Sequence, residues 1–255
     1  MNDGYAGKSV LVTGSSKGIG LACAADFAER GASVILTGRS LEALEKARAT
    51  LPTGSPVELA ACDLSLEADR VALADRFGEI DILVNNAGGI PGGDLFTLDI
   101  GQWQSSWQLK VFGYIHLTQL YLKRMKERRA GVIVNIIGDL GRMPRWDYIC
   151  GSTANAGLIA FTEAVGAQSV DWNVRVFGIN PTGTATDRVV DVARGRARST
   201  YGDEERWPEI LTGLPFDRLC TPEEVARLVA TLASPDMGYL SGTVVDLDGG
   251  RINRR

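Results

Sequence analysis

Residues 8–20 read Lys8-Ser9-Val10-Leu11-Val12-Thr13-Gly14-Ser15-Ser16-Lys17-Gly18-Ile19-Gly20. The first half is a short apolar run of strand character, and the second is a glycine-rich turn. Ile19, Cys23 and Phe27 then recur at helical spacing, and Arg30-Gly31 closes the helix with a cation and a glycine stop. Strand, glycine loop and helix in this order predict a dinucleotide-binding unit. Gly14 suits a sharp exit from the strand, Gly18 a close approach of backbone to pyrophosphate, and Gly20 tight packing of helix on sheet. The phosphates would meet the helix N-terminus. Thirty glycines in 255 residues produce such triplets by accident, so the triplet gains its weight from the next strand of the chain.

Ser33-Val34-Ile35-Leu36-Thr37 reads as that strand and ends at Gly38-Arg39-Ser40. A carboxylate at that point would select the free ribose hydroxyl of NAD, whereas Arg39 with Lys17 attracts a 2′-phosphate. NADP(H) is therefore the expected cofactor. Two more strand-helix units come after it: Val57 to Ala61 leads into Cys62-Asp63-Leu64, and Asp81 to Val84 leads into Asn85-Asn86-Ala87-Gly88. The fold class expected is α/β, a single-domain Rossmann fold over residues 1–255. It comprises a doubly wound parallel sheet with helices on both faces and ligands beyond the carboxyl ends of the strands.

The second half continues the alternation. A Gly- and Pro-rich stretch, 88–93, bridges to a helical region expected from about Trp103 to Arg129. Trp103 and Trp107 are read as core or subunit-contact residues, and His116 as a packed, satisfied histidine. Val132 to Ile137 is an apolar run, a helix is expected from about Ser152 to Val170, and a strand from Val174 to Ile179. Residues 187–215 read as a long, irregular, arginine-rich span and hence as a substrate lid. Thr221, Pro222 and Glu224 announce the last helix through a capping box with proline in its first turn. Arg251 to Arg255 reads as a solvated tail or subunit contact.

Composition excludes several function classes. A formal net charge of −4 with both signs interspersed offers no basic footprint for nucleic acid. No apolar run approaches the roughly 20 residues needed to cross a bilayer, and the N-terminus has no signal pattern, so a cytoplasmic protein is expected. One histidine and four cysteines without CxxC spacing make a zinc site or a Ser/His or Cys/His hydrolase hard to build. Three cysteines read as small buried hydrophobes; Cys150 stays a functional candidate by its position.

Thr13 to Gly20, Asp63, Asn85-Asn86-Ala87-Gly88, Asn180-Pro181, Ser241 to Asp246 and Asp248-Gly249-Gly250 together resemble the short-chain dehydrogenase/reductase family over nearly the whole chain. The resemblance implies a cofactor site of Gly14, Ser15, Ser16, Lys17, Gly18, Ile19, Gly20, Arg39, Ser40, Asp63, Leu64, Asn86, Ala87, Gly88, Pro181, Thr184 and Thr186. Asp63 would bind the adenine, Asn85 and Ala87 would line the ribose, and Thr184 or Thr186 would hold the nicotinamide carboxamide. It also implies a small-molecule substrate and a homodimer or homotetramer, with Ala154, Ala156, Gly157 and Ala160 permitting close helix approach.

In that family a serine follows the fifth strand, a tyrosine comes thirteen residues later, a lysine four after that, and an asparagine on the preceding helix completes the set. Tyrosine exchanges the proton, lysine lowers its pKa, serine polarises the same oxygen and asparagine holds a water relay. Counting along this chain places Gly138, Gly151, Asn155 and Lys110 at the four positions. Two readings compete. One is a rearranged site for carbonyl/alcohol chemistry, in which Lys110 and Asn155 have exchanged places and Tyr148, depressed in pKa by Lys110, supplies the proton; Asp139 and Ser152 are further polar candidates. The other is an NADP-binding protein without turnover, acting as sensor, scaffold or partner, with Tyr148 as a substrate-loop aromatic. Met143, Pro144, Arg145, Trp146 and Tyr148 form the expected substrate pocket.

Overall fold

Alternation along the first strand sets the architecture. The computed structural model describes residues 4–254; Met1 to Asp3 and Arg255, the end of the basic terminal stretch, lie outside them. In β1 (Ser9–Val12), Val10 and Val12 point to one face of the sheet and Leu11 to the other, and all three are fully buried. Strands buried on both faces read as continuous apolar runs because helices cover both sides. The remaining strands are β2 (Ser33–Gly38), β3 (Val57–Ala61), β4 (Ile82–Asn85), β5 (Val132–Ile136), β6 (Arg175–Pro181) and β7 (Val244–Leu247). Among the described residues they form one seven-stranded sheet in the order β3-β2-β1-β4-β5-β6-β7, with every pair parallel.

On one face, Val10, Val12, Val34 and Leu36 meet Phe27 of α1 (Gly18–Glu29) and Val225 and Val229 of α9 (Pro222–Ala233). On the other, Leu11, Ile35, Leu83 and Ile133 meet Leu73 of α3 (Glu67–Arg76) and Leu117 and Tyr121 of α5 (Gly113–Arg128). Burial of each such aliphatic side chain stabilises by about 1.5–3 kcal/mol. The strand order reverses at β1, whose two edges pair with β2 and β4, and a ligand crevice opens beyond the carboxyl ends of β1 and β4. The expected Thr221 cap is present: Thr221 Oγ1 accepts from Glu224 N at 3.2 Å while the Glu224 carboxylate accepts from Thr221 N at 2.8 Å.

Several elements differ from the sequence expectation. The long helical region starts earlier, as α4 (Ile100–Trp107), because Asp99 and Gln102 form a capping box that the apolar spacing does not reveal. Between α4 and α5 the backbone winds as a π-helical turn, Gln108–Phe112, which carries Lys110. The helix after β5, α6 (Ile149–Ser169), begins three residues before Ser152, directly after Tyr148. Residues 187–215 are not irregular. They contain α7 (Asp187–Tyr201), stopped by Gly202 in the left-handed conformation, and the short α8 (Trp207–Ile210). The buried face of α7 is made by Ala193, Ala197 and the stem of Arg196, so its helical period is carried by few apolar residues. No helix among the described residues is long and apolar enough to cross a membrane.

Candidate active site

The loop after β1 is fastened to the loop after β4 by one hydroxyl. Thr13 Oγ1 accepts from Asn86 N at 2.8 Å and Ala87 N at 2.9 Å and donates to Val84 O. Asn86 Nδ2 returns bonds to Thr13 O at 2.9 Å and Gly14 O at 3.2 Å. Gly14 and Gly18 have φ of +65° and +58°, which a side chain resists. A Cβ on Gly20 would stand 2.4 Å from Gly14 O, so α1 packs on the turn only through glycine. The result is a cleft of about 1310 Å³ that runs from Arg39 and Asp63, past Gly14, Ser16 to Ile19, Leu64 and Asn86 to Gly88, to Pro181, Thr184 and Thr186. Its backbone cradle fits a dinucleotide.

Three expected cofactor residues have structural tasks away from the cleft wall. Ser15 is fully buried, donating to Val12 O at 2.8 Å and accepting from Thr37 N at 2.9 Å, which locks β1 to β2. Gly20 lies beneath the turn, and Ser40 caps α2 (Leu41–Ala49) by accepting from Ala43 N. Asp63 is held by Ser65, whose backbone N–H and hydroxyl lie 3.0 and 2.7 Å from Oδ1. Those bonds, with Arg39 nearby, keep the carboxyl below its ordinary value. Arg39 is exposed on the cleft with no ion pair among the described residues. Lys17 does not join it: its Nζ lies 3.0 Å from Asp187 at the start of α7. Such an exposed pair is worth under about 1 kcal/mol and opens readily.

At the other end of the cleft, two glycines are filled from elsewhere in the chain. A Cβ built on Gly151 would stand 2.0 Å from Tyr148 Cε1, 2.1 Å from Cζ and 2.6 Å from the hydroxyl. The Tyr148 ring therefore occupies the space a residue-151 side chain would enter. A Cβ on Gly138, whose φ is +138°, would stand 2.8 Å from Asn155 Nδ2. Lys110 reaches the same segment from the π turn, with Nζ donating to Ile137 O at 2.6 Å. Tyr148, Lys110, Asn155, Gly138 and Asp139 line one cleft. Asn155 is 3% exposed, and its Oδ1 has no hydrogen-bond partner among the described residues.

The electrostatics differ from the expected Tyr148–Lys110 couple. Burial holds the Tyr148 phenol above its ordinary value, and the cations that oppose this are Arg188 first and Arg196 second, both on α7. Arg188 also donates to Ile90 O. Lys110 is itself brought down to about 7, by burial first and by Arg188 second. Asp139 is 4% exposed and 3.1 Å from Arg251, which also reaches Thr182 Oγ1 at 3.3 Å; burial nonetheless raises its carboxyl. The terminal stretch is therefore partly an inward clasp. Ser152 is away from the cleft, accepting from Arg145 N at 3.0 Å and closing the loop before α6.

Of the expected substrate pocket, only Tyr148 lines the cleft. Pro144, Arg145 and Trp146 are exposed, Met143 lies off the cleft wall, and Trp146 packs edge-on against Phe96. Sequence reading missed Asp147, buried between Arg145 and Arg196 at 3.0 Å from each, which binds this loop to α7. It also did not single out Arg188, whose signal was its place just after the Thr182 to Thr186 loop. Cys150 is fully buried and burial raises its thiol, the setting of a packed cysteine. His116 accepts from Arg70 Nε at 3.1 Å, as a packed histidine does.

A family model described as short chain dehydrogenase matches residues 8–197. The 3-oxoacyl-[acyl-carrier-protein] reductase FabG of Vibrio cholerae is 33% identical over 249 residues, covering 96% of this chain and 97% of that protein. The NADPH-dependent reductase BacG of Bacillus subtilis is 31% identical over 258 residues, covering 95% and 97%. Among solved structures, L-sorbose reductase from Gluconobacter frateurii, complexed with NADPH and L-sorbose, is similar with a TM-score of 0.88 at 29% identity over 100% of both chains.

Proposed function

The chain belongs to the short-chain dehydrogenase family and is an oxidoreductase; from that premise we propose that it interconverts a carbonyl and an alcohol with NADP(H), through a rearranged set of proton-handling groups. The observation that carries this reading is the Tyr148 ring standing over Gly151. The balanced reaction is carbonyl + NADPH + H⁺ to alcohol + NADP⁺, or its reverse. NADPH-dependent relatives, and the free Arg39 at the end of β2 in place of a carboxylate, support NADP(H) over NAD.

When bound, the cofactor supplies or accepts the hydride. The chain handles the proton. A phenol held above its ordinary pKa stays protonated at neutral pH and can donate to the oxygen of a carbonyl undergoing reduction. The Arg188 guanidinium then stabilises the phenolate that forms. Lys110, at about 7, changes charge in the working range and is suited to return the proton. Asn155 Nδ2, beside Gly138, offers an amide where the family places a serine hydroxyl. Asp94 accepts a bond from Ser199, and Asp147 is bonded to Arg196; both hold α7 over the cleft as a fixed cover.

Self-association is part of this reading. Its support is the exposed small-residue face of α6, with Ala156, Gly157 and Ala160 on the surface. The test of function is NADPH oxidation across a panel of aldehydes, ketones and oxo acids, with Lys110→Met beside the unaltered protein. Turnover lost in the variant supports the reading; turnover retained in full opposes it.

A further inference from the structure

We propose that the substrate is a carbonyl compound bearing a carboxylate, which Arg188 binds in the cleft it shares with Lys110. This rests on the oxidoreductase reading and adds the substrate class to it. Arg188, Lys110, Tyr148 and Asn155 line the same cleft. Neither cation has a carboxylate within 4.0 Å among the described residues.

The acids nearby are committed elsewhere: Asp139 to Arg251, Asp147 to Arg145 and Arg196, and Asp187 to Lys17. Asp191, also on the cleft, is exposed and pairs with neither. Arg188 spends one bond on Ile90 O and also faces the Tyr148 hydroxyl, and Lys110 spends one on Ile137 O. A guanidinium carries five N–H donors and an ammonium three, so both retain donors for a ligand.

The position of Arg188 is built. Backbone of α7 lies against the Gly92 loop so closely that a Cβ on Gly195 would stand 2.5 Å from Gly92 O. The Asp147–Arg196 pair and the Ser199–Asp94 bond hold the same helix. Two like charges confined in a half-buried cleft without a counter-ion are costly, and a bound anion offsets that cost. The lowering of Lys110 by Arg188 reports the same crowding. An anion there has two sources, a substrate carboxylate or the diphosphate of the cofactor, and the experiment separates them.

The full chain loaded with NADP⁺ is titrated calorimetrically with benzoate and with benzamide, and NADPH oxidation is followed with phenylglyoxylate and with its methyl ester. Benzoate is expected to bind at least about 10-fold tighter than benzamide, and the acid to exceed the ester about 100-fold in kcat/KM, as expected for a charge-assisted bond. Arg188→Gln is expected to bring both ratios close to one, with Arg188→Lys recovering part. Equal ratios in the unaltered protein overturn the proposal. So does an Arg188→Gln variant that weakens NADP⁺ binding and leaves the ratios intact, since the guanidinium then serves the diphosphate. If neither ketone is reduced, the oxidoreductase reading suffers, while the benzoate comparison still decides this one.

Discussion

The Tyr148 ring lies over Gly151 with its Cε1 only 2.0 Å from where a residue-151 Cβ would be. Glycine at 151 is thus required by its neighbour one helical turn upstream, and the absent side chain and the ring that replaces it form one feature.

Gly151→Ala tests that coupling. Alanine is favoured over glycine inside a helix by about 1 kcal/mol, yet here its methyl overlaps the ring. The variant is expected to lose about 1–3 kcal/mol in chemical denaturation as Tyr148 is displaced. On a Tyr148→Ala background the same change becomes neutral or stabilising, and a double-mutant cycle reads the coupling.

Lys110→Met separates function from stability. Removing a desolvated amine is expected to stabilise the fold by about 1–2 kcal/mol while turnover falls by about 100-fold or more. The pH dependence carries the sign. With Lys110 near 7 in the fold and at its ordinary 10.5 when unfolded, the unfolded chain holds more protons between those values. Its contribution is fully unfavourable below about 7 and is relieved as pH rises towards 10.5. Denaturation midpoints across pH 6–10 should lose that component in the methionine variant.

Arg39→Asp tests cofactor choice. A carboxylate at the end of β2 repels a 2′-phosphate, so the ratio of kcat/KM for NADPH over NADH is expected to fall by about 10- to 100-fold. A variant that still prefers NADPH to the same degree places the selecting charge elsewhere.

Arg251→Ala leaves Asp139 buried without its cation. A loss of about 1–3 kcal/mol is expected. Because the Asp139 carboxyl is already raised and Arg251 opposes that rise, the folded form holds its proton longer than the unfolded one. The loss should deepen as pH climbs above the ordinary carboxylate range, which melting curves at pH 4 and pH 7 compare.

The cofactor half of the cleft was legible because its demands are local. Gly14 and Gly18 need left-handed backbone, Gly20 needs no side chain, and Arg39 follows a recognisable strand. Ser15 and Ser40 lie in the right loops but turn inward to bond backbone, a choice spacing does not encode. In the substrate half the absences at Gly138 and Gly151 were legible, and so were Tyr148, Lys110, Asn155 and Asp139 as candidates lining one cleft; how the gaps are filled was not. What fills them arrives through space: Tyr148 from a helix that starts earlier than its spacing suggests, and Asn155 from the next turn of α6. Arg188 was read only as one arginine of an irregular span, because α7 buries arginine stem and alanine instead of a leucine stripe that would announce a helix.

The most direct measurement is the single-turnover rate of hydride transfer from NADPH to a carbonyl that the unaltered protein reduces, compared with Tyr148→Phe. Phenylalanine keeps the ring over Gly151 and removes only the hydroxyl. A fall of about 100-fold or more, with NADPH still bound, is the predicted result. An unchanged rate would contradict the assignment of Tyr148 as the proton donor and the rearranged site with it.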